Sequence, residues 1–111
     1  MEIAKDLVAA SAIPIVLAIL KDQASYGYAI IKHVKDLSEN EMNWTEGMLY
    51  PILHRLEAQQ CIESYWMESD TGRKRKYYRI TAFGLEELSQ QQSQWNVVNA
   101  ALEKILKDKQ P

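Results

Sequence analysis

The chain is poor in the residues from which disulfide-built, metal-built and loop-built folds are made. It has a single cysteine, Cys61, in 111 residues, which excludes an internal disulfide framework and any cysteine-rich zinc site. Four glycines and three prolines are too few for a disordered chain. Histidine is scarce as well: His33 and His54 lie too far apart in the helical scheme below to make a metal site. No nucleophile stands beside a base, no carboxylate pair marks a cleft, and no glycine-rich loop is placed to cradle phosphate, so neither catalysis nor a cofactor is expected. The longest nearly apolar stretch, Leu7 to Leu20, is broken by Ser11 and Pro14 and falls short of the ~20 residues that cross a bilayer. Glu2, Lys5 and Asp6 ahead of it deny it the positive start of a secretory leader. It reads as a buried core helix of a cytoplasmic protein without a membrane partner. An unpaired thiol is compatible with a reducing compartment, and Cys61, opening a strand, reads as a buried inert one.

What is present is ordinary in amount and unusual in arrangement. Hydrophobic residues make up 47% and charged residues 25%, the balance of one small globular domain. The formal net charge is only −2, which by itself argues against a nucleic-acid partner. The average conceals a segregation. Arg73, Lys74, Arg75, Lys76 and Arg79 hold five of the 13 basic residues within seven positions, while the rest of the chain sets 8 basic residues against 15 acidic ones. A basic cluster on an acidic body is a directional electrostatic feature.

The element order gives that cluster a place. A first helix is expected from Ile3 to Leu20, with Leu7, Ile13, Val16, Leu17 and Leu20 inward and Pro14 kinking or dividing it. Ser25 reads as the N-cap of a second helix ending near Leu37, with Ile30, Ile31, Val34 and Leu37 as its stripe and Tyr28, Lys32 and Lys35 off it. Thr45 caps a third helix that buries Leu49, Ile52, Leu53 and Leu56. Gly47, Pro51, His54 and Ala58 point outward, flanked by Tyr50 and Arg55, and Pro51 predicts an irregular first turn. Ile62–Glu68 reads as a strand, Asp70-Thr71-Gly72 as a turn, and Arg75–Ile80 as the partner strand. Thr81 caps a final helix reaching about Lys107. Three helices, a basic hairpin and a long helix make a mostly helical α+β fold with the order of a winged helix-turn-helix: the third helix enters the major groove and the hairpin meets phosphate. Residues 1–80 are the expected DNA-binding unit and 81–111 the dimerisation helix.

Leu88, Gln91, Trp95, Val98, Leu102 and Ile105 recur at alternating intervals of three and four, the a/d seam of helix-to-helix packing. About 27 residues of helix span about 40 Å, more than a domain this small covers with its own core. A second copy of the chain is the expected partner, and Leu88, Trp95, Val98, Leu102 and Ile105 the expected dimer seam.

Three runs carry a resemblance: Tyr26-Gly27-Tyr28, Glu46-Gly47-Met48-Leu49-Tyr50-Pro51-Ile52-Leu53-His54-Arg55-Leu56-Glu57, and Lys76-Tyr77-Tyr78-Arg79-Ile80-Thr81 with Gly84. Together they resemble the PadR family of bacterial transcriptional regulators, over nearly the whole chain. The single short C-terminal helix is similar to the small subgroup that regulates multidrug-efflux genes. The resemblance implies a homodimeric repressor, released when a flat aromatic ligand stacks between paired tryptophans in a central pore. Trp95 stands at the matching position, with Leu88, Gln91, Gln92 and Asn99 around it as effector-binding candidates. The three polar neighbours favour a more polar ligand or hydrogen bonds across the seam. Two positions depart from the family pattern: Pro14 in the first helix, and Gln60 where the family carries glycine. A left-handed backbone at Gln60 would cost about 1–2 kcal/mol.

The implied partner is a double-stranded DNA operator. Glu46, Gly47, Tyr50 and His54 face its bases, Thr45, Tyr28, Lys32 and Lys35 position its backbone, and Arg73, Lys74, Arg75 and Lys76 meet phosphate or the adjacent minor groove. The residues leave three alternatives open: His54 contacts DNA or solvent, Tyr50 packs under the helix or donates to phosphate, and Arg79 serves DNA or pairs with an acidic neighbour. The effector is expected to be a flat aromatic or cationic small molecule. A winged-helix protein-interaction module is the rival reading, but it has no need of a basic hairpin; a small enzyme is the third, disfavoured by the absence of any catalytic constellation.

Overall fold

A computed structural model describes residues 1–108. The first helix, α1 (Lys5–Asp22), sets Ala12, Val16, Leu17, Ile19 and Leu20 into the core. Pro14 has no N–H to donate to the preceding turn, yet α1 runs through it undivided: of the kink or division expected there, the division does not occur. Buried residues on both sides of Pro14 hold the two halves to one core. Leu7, expected inward, is 48% exposed, because the first turn overhangs the core and Val8 takes the inward place.

Ser25 does not cap a helix. Ser25 and Tyr26 form a short strand, β1, antiparallel to the later strand Lys74–Ile80, with Ser25 opposite Tyr78 and Tyr26 opposite Tyr77. The free edge of that strand claims the backbone that capping would otherwise have used. Helix α2 (Gly27–Leu37) follows at once, burying Ile30 and Val34. Leu37, expected in its stripe, is exposed: α2 ends there and the chain turns away through Glu39 and Asn40, both at positive φ.

Helix α3 (Glu46–Ala58) begins where its cap predicts, with the Met48 N–H donating to Thr45 Oγ1 at 3.2 Å. Leu49, Leu53 and Leu56 are fully buried. The helix is regular from Glu46 onward despite Pro51. The donor that Pro51 lacks would have served the carbonyl of Gly47, an exposed residue that water can satisfy.

Strands β2 (Ile62–Glu68) and β3 (Lys74–Ile80) pair antiparallel from Ile62 opposite Ile80 to Glu68 opposite Lys74. Gly72, at φ +80°, closes the tip, where the Ser69 N–H donates to the Arg73 carbonyl at 2.8 Å. The sheet therefore has three strands in the order β1-β3-β2, one more than the expected hairpin.

Helix α4 (Ala82–Asp108) is seated on the sheet by Thr81 and Gly84. The Thr81 hydroxyl accepts the Gly84 N–H at 3.0 Å and lies 2.6 Å from the Gln60 carbonyl, to which it donates. A Cβ on Gly84 would collide with the Cys61 carbonyl and stand 2.7 Å from Ile80 Cγ1, so this crossing requires glycine. Within the core, which is centred on Leu17, Ile30, Leu49, Leu53, Leu56 and Tyr78, α4 contributes Leu88. Its distal half projects from the core, and the molecule with it measures 61 × 31 × 21 Å.

Candidate nucleic-acid interface

The start of α3, the start of α2 and the root of the hairpin converge on one surface groove of about 630 Å³. Tyr26, Gly27 and Tyr28 form one wall, Glu46 and Tyr50 the second, and Trp66, Arg73, Arg75 and Lys76 the third. The geometry explains why two of the quoted motifs occur together. The Tyr50 hydroxyl lies 2.7 Å from where a Cβ on Gly27 would sit, so Gly27 is the space into which Tyr50 packs. Tyr50 still keeps 38% of its surface exposed. It therefore packs on α2 and also faces the groove, its ring 6.4 Å from that of His54.

Glu46, Gly47 and His54 are exposed on the outward side of α3, and Thr45 on its cap. Tyr28 is 66% exposed at the start of α2. Lys32 and Lys35 are exposed further along α2 and do not line the groove.

The basic cluster is not uniformly free. Arg79 Nε donates to Glu63 Oε1 at 2.7 Å and its guanidinium stacks over the Tyr65 ring, so the pairing alternative is the one adopted. Arg75 Nη1 donates to the Tyr26 hydroxyl at 2.8 Å and lies over the Tyr26 ring. Between these two arginines Tyr26, Tyr77 and Tyr65 run side by side, with ring centroids 5.1 and 5.9 Å apart. This ladder of cations and aromatic faces stiffens the outer side of the sheet. Lys76 Nζ lies 4.0 Å from Glu57 Oε1, and Glu57 also accepts a hydrogen bond from the Ser64 hydroxyl. Among the described residues Arg73 and Lys74 have no ion-pair partner, and both are exposed at the tip.

The ladder was not legible in the sequence in full. Period-2 alternation places Tyr65 and Tyr77 on one side of a hairpin, but nothing local announces Tyr26, which joins through a strand of two residues.

A second groove, of about 540 Å³, lies between α1 and α4. Leu88, Gln92 and Trp95 line it from α4, and Pro14, Ile15 and Ala18 from α1. Gln91 turns back along its own helix, its Nε2 donating to Glu87 Oε1 at 3.3 Å, and Asn99 is exposed outside the groove. Val98, Leu102 and Ile105 are 62%, 54% and 55% exposed, an apolar stripe left open by the described residues.

Cys61 is buried. Burial, and after it the Glu87 carboxylate, push its thiol upward from the ordinary value, as befits an inert thiol. Among the described residues no group of three or more ligating side chains could hold a metal ion, and no helix is long and apolar enough to cross a membrane.

Comparison with known proteins gives one family. The model of the transcriptional regulator PadR-like family matches residues 16–90. An uncharacterised protein of Lysinibacillus sphaericus is 34% identical over 89 residues, 80% of this chain and 82% of its own length. A solved transcriptional regulator from Clostridium thermocellum superposes with a TM-score of 0.82 at 30% identity, covering 90% of this chain and 97% of that one. A PadR-like transcriptional regulator from Bacillus cereus superposes with a TM-score of 0.81 at 28% identity, covering 92% and 97%.

Proposed function

The chain belongs to the PadR-like family of transcriptional regulators, DNA-binding proteins that catalyse no reaction, and from that premise we propose that it is a homodimeric, ligand-released repressor acting in the cytoplasm. Residues 1–80 bind DNA and residues 81–111 join two copies. The observation that carries the reading is the groove at the start of α3, where an exposed helix N-terminus and the root of a basic wing share one surface. Helix N-termini and arginine side chains both suit phosphate. Glu46, Gly47, Tyr50 and His54 then face base edges in the major groove. Arg73, Lys74, Arg75 and Lys76 hold the backbone on one side, and Thr45, Tyr28, Lys32 and Lys35 on the other.

Dimerisation rests on the bare stripe Val98, Leu102 and Ile105, continued inward by Leu88 and Trp95. A single helix that projects past its own core with large apolar residues on one face calls for a partner helix. The effector is a flat aromatic or cationic molecule in the groove beside Trp95, where an indole face meets an apolar wall of Pro14, Ile15 and Ala18. Because α4 forms both that groove and the seam, a ligand there changes the separation of the two α3 helices. Half-sites about 34–36 Å apart along the duplex would then be mismatched.

Titration of the protein with a planar cationic dye tests the whole reading. The dye should quench tryptophan fluorescence and weaken binding to the DNA upstream of the chain's own coding sequence over the same concentration range. Trp95→Ala should lose most of the quenching while its ligand-free DNA affinity stays near the parent's. Quenching that survives in Trp95→Ala, or dye binding without any loss of DNA affinity, overturns the effector site.

A further inference from the structure

We propose that Trp66 is an apolar DNA contact on the wing, its indole lying against the deoxyribose edge of the operator backbone; this rests on the DNA-binding reading above. Trp66 is 66% exposed, a large apolar area to leave in water on a strand of seven residues. It forms the ridge between two grooves. On one side lie Arg73, Arg75 and Lys76 with Tyr50 and Glu46 of α3. On the other lie Lys74, Met67 and Glu68. The cross-strand partner of Trp66 is Lys76. An aromatic ridge flanked on both sides by cations complements a polyanion with uncharged sugar faces between its phosphates, whereas an acidic or apolar protein surface would offer only one of the two.

The side of the sheet is decisive. Trp66 shares its face with Ser64 and Ile62, which look toward α3 and the core, since alternate strand residues lie on one side. The Ser64 hydroxyl reaches Glu57 of α3 and Ile62 is buried. A duplex that receives the start of α3 therefore passes on the side from which Trp66 projects. Met67 and its cross-strand partner Arg75 alternate to the opposite side, so the cations that share the Trp66 face are Lys76 toward the one groove and Lys74 toward the other. Two acidic groups border the ridge, Glu46 and Glu68, and both disfavour phosphate close to the ring. Neither opposes the C–H surface of a sugar. The contact is thus non-ionic and blind to base sequence.

That character separates Trp66 from its basic neighbours in one experiment. Binding of the full-length protein to two labelled duplexes is measured by anisotropy across a salt series. One duplex is the DNA upstream of the chain's own coding sequence and the other a scrambled duplex of equal length. Trp66→Ala should weaken binding to both by about tenfold, the scale at which a buried tryptophan anchor acts at an interface, while the slope of log affinity against log salt stays the parent's. Trp66→Phe, which keeps a ring, should recover most of the loss. In the parent, saturating DNA should protect tryptophan fluorescence from acrylamide, because Trp44 is buried and Trp95 half-buried, leaving Trp66 as the most accessible indole. Equal affinities for parent and Trp66→Ala overturn the proposal. So does a shallower salt slope in Trp66→Ala, which would mean that the ring serves only to place the cations, or acrylamide quenching that DNA leaves unchanged. A parent that binds neither duplex at low salt overturns the DNA-binding reading itself, and the contact with it.

Discussion

At the scale of the residue, the sites of tension are few and open to measurement. Gln60 sits at φ +63° between α3 and β2, the left-handed conformation that its departure from the family's glycine brought into question. A Cβ there costs about 1–2 kcal/mol, part of which glycine's extra freedom in the unfolded chain returns. Gln60→Gly should therefore raise the unfolding free energy by about 1 kcal/mol, read as a higher urea midpoint with an unchanged slope; a lower midpoint would mean that the Gln60 side chain supplies something the backbone geometry does not reveal. Gly84 is the opposite case, a position where no side chain fits over Cys61. Two buried acids favour the folded state while they stay protonated. Burial raises the Cys61 thiol, with Glu87 adding to it, and burial followed by Glu57 and Tyr50 raises the Tyr78 phenol. Because the folded state favours the protonated forms, their contribution is complete below the ordinary values of 9.0 and 10.0 and is lost as pH rises through the raised ones. The Tyr78 phenol should ionise above its ordinary value, and a Tyr78 that titrates at that value in the folded protein would contradict this.

At the scale of the element, the wing divides into a stiff root and a free tip. Arg75, Lys76 and Arg79 are engaged by Tyr26, Glu57 and Glu63, whereas Arg73 and Lys74 extend freely. Replacing Arg73 and Lys74 together by alanine should weaken binding to every duplex and make the salt slope shallower by about 0.9 per lost phosphate contact. Thermal unfolding should shift little, since exposed charges contribute only about 0–1 kcal/mol; an unaltered slope would remove the tip from the interface. How far the elements were legible follows from how local their causes are. The cap at Thr45, the Asp70-Thr71-Gly72 turn and the stripe Leu49, Leu53 and Leu56 are written in neighbouring residues, and α3, β2 and β3 stand where those residues put them. Strand β1 has no such signature. Its two residues are held by partners some fifty positions later, Tyr77 and Tyr78, and Ser25 by itself reads as a cap. The Tyr26–Arg75 end of the ladder depends on the same non-local pairing, whereas Glu63 and Arg79 stand directly opposite each other within the hairpin. Gly27 and Gly84 were visible as motif letters, while their reasons, the Tyr50 ring and the Cys61 carbonyl, required the fold.

At the scale of the whole molecule, the imbalance is between a small core and a long helix. Helix α4 has 27 residues, about 40 Å of helix, and within the buried core it is represented by Leu88. Val98, Leu102 and Ile105 stay more than half exposed on a single stripe. Burying three such side chains is worth about 1.5–3 kcal/mol each, and a second copy meeting the first about a two-fold axis buries them twice over. Leu102 lies near the middle of the stripe, so a carboxylate there has no partner and would be desolvated in any closed seam. In a lone chain the same carboxylate would sit in water at an exposed helix position, costing only a few tenths of a kcal/mol. Leu102→Glu thus separates the two cases: sedimentation at micromolar concentration should show the parent as a dimer and the variant as a monomer or unfolded chain, with operator affinity falling because paired half-sites no longer bind as one unit. A parent that sediments as a monomer, or a variant that stays dimeric with its stability intact, would remove the proposed seam, and with it the proposed coupling of a ligand beside Trp95 to two distant α3 helices.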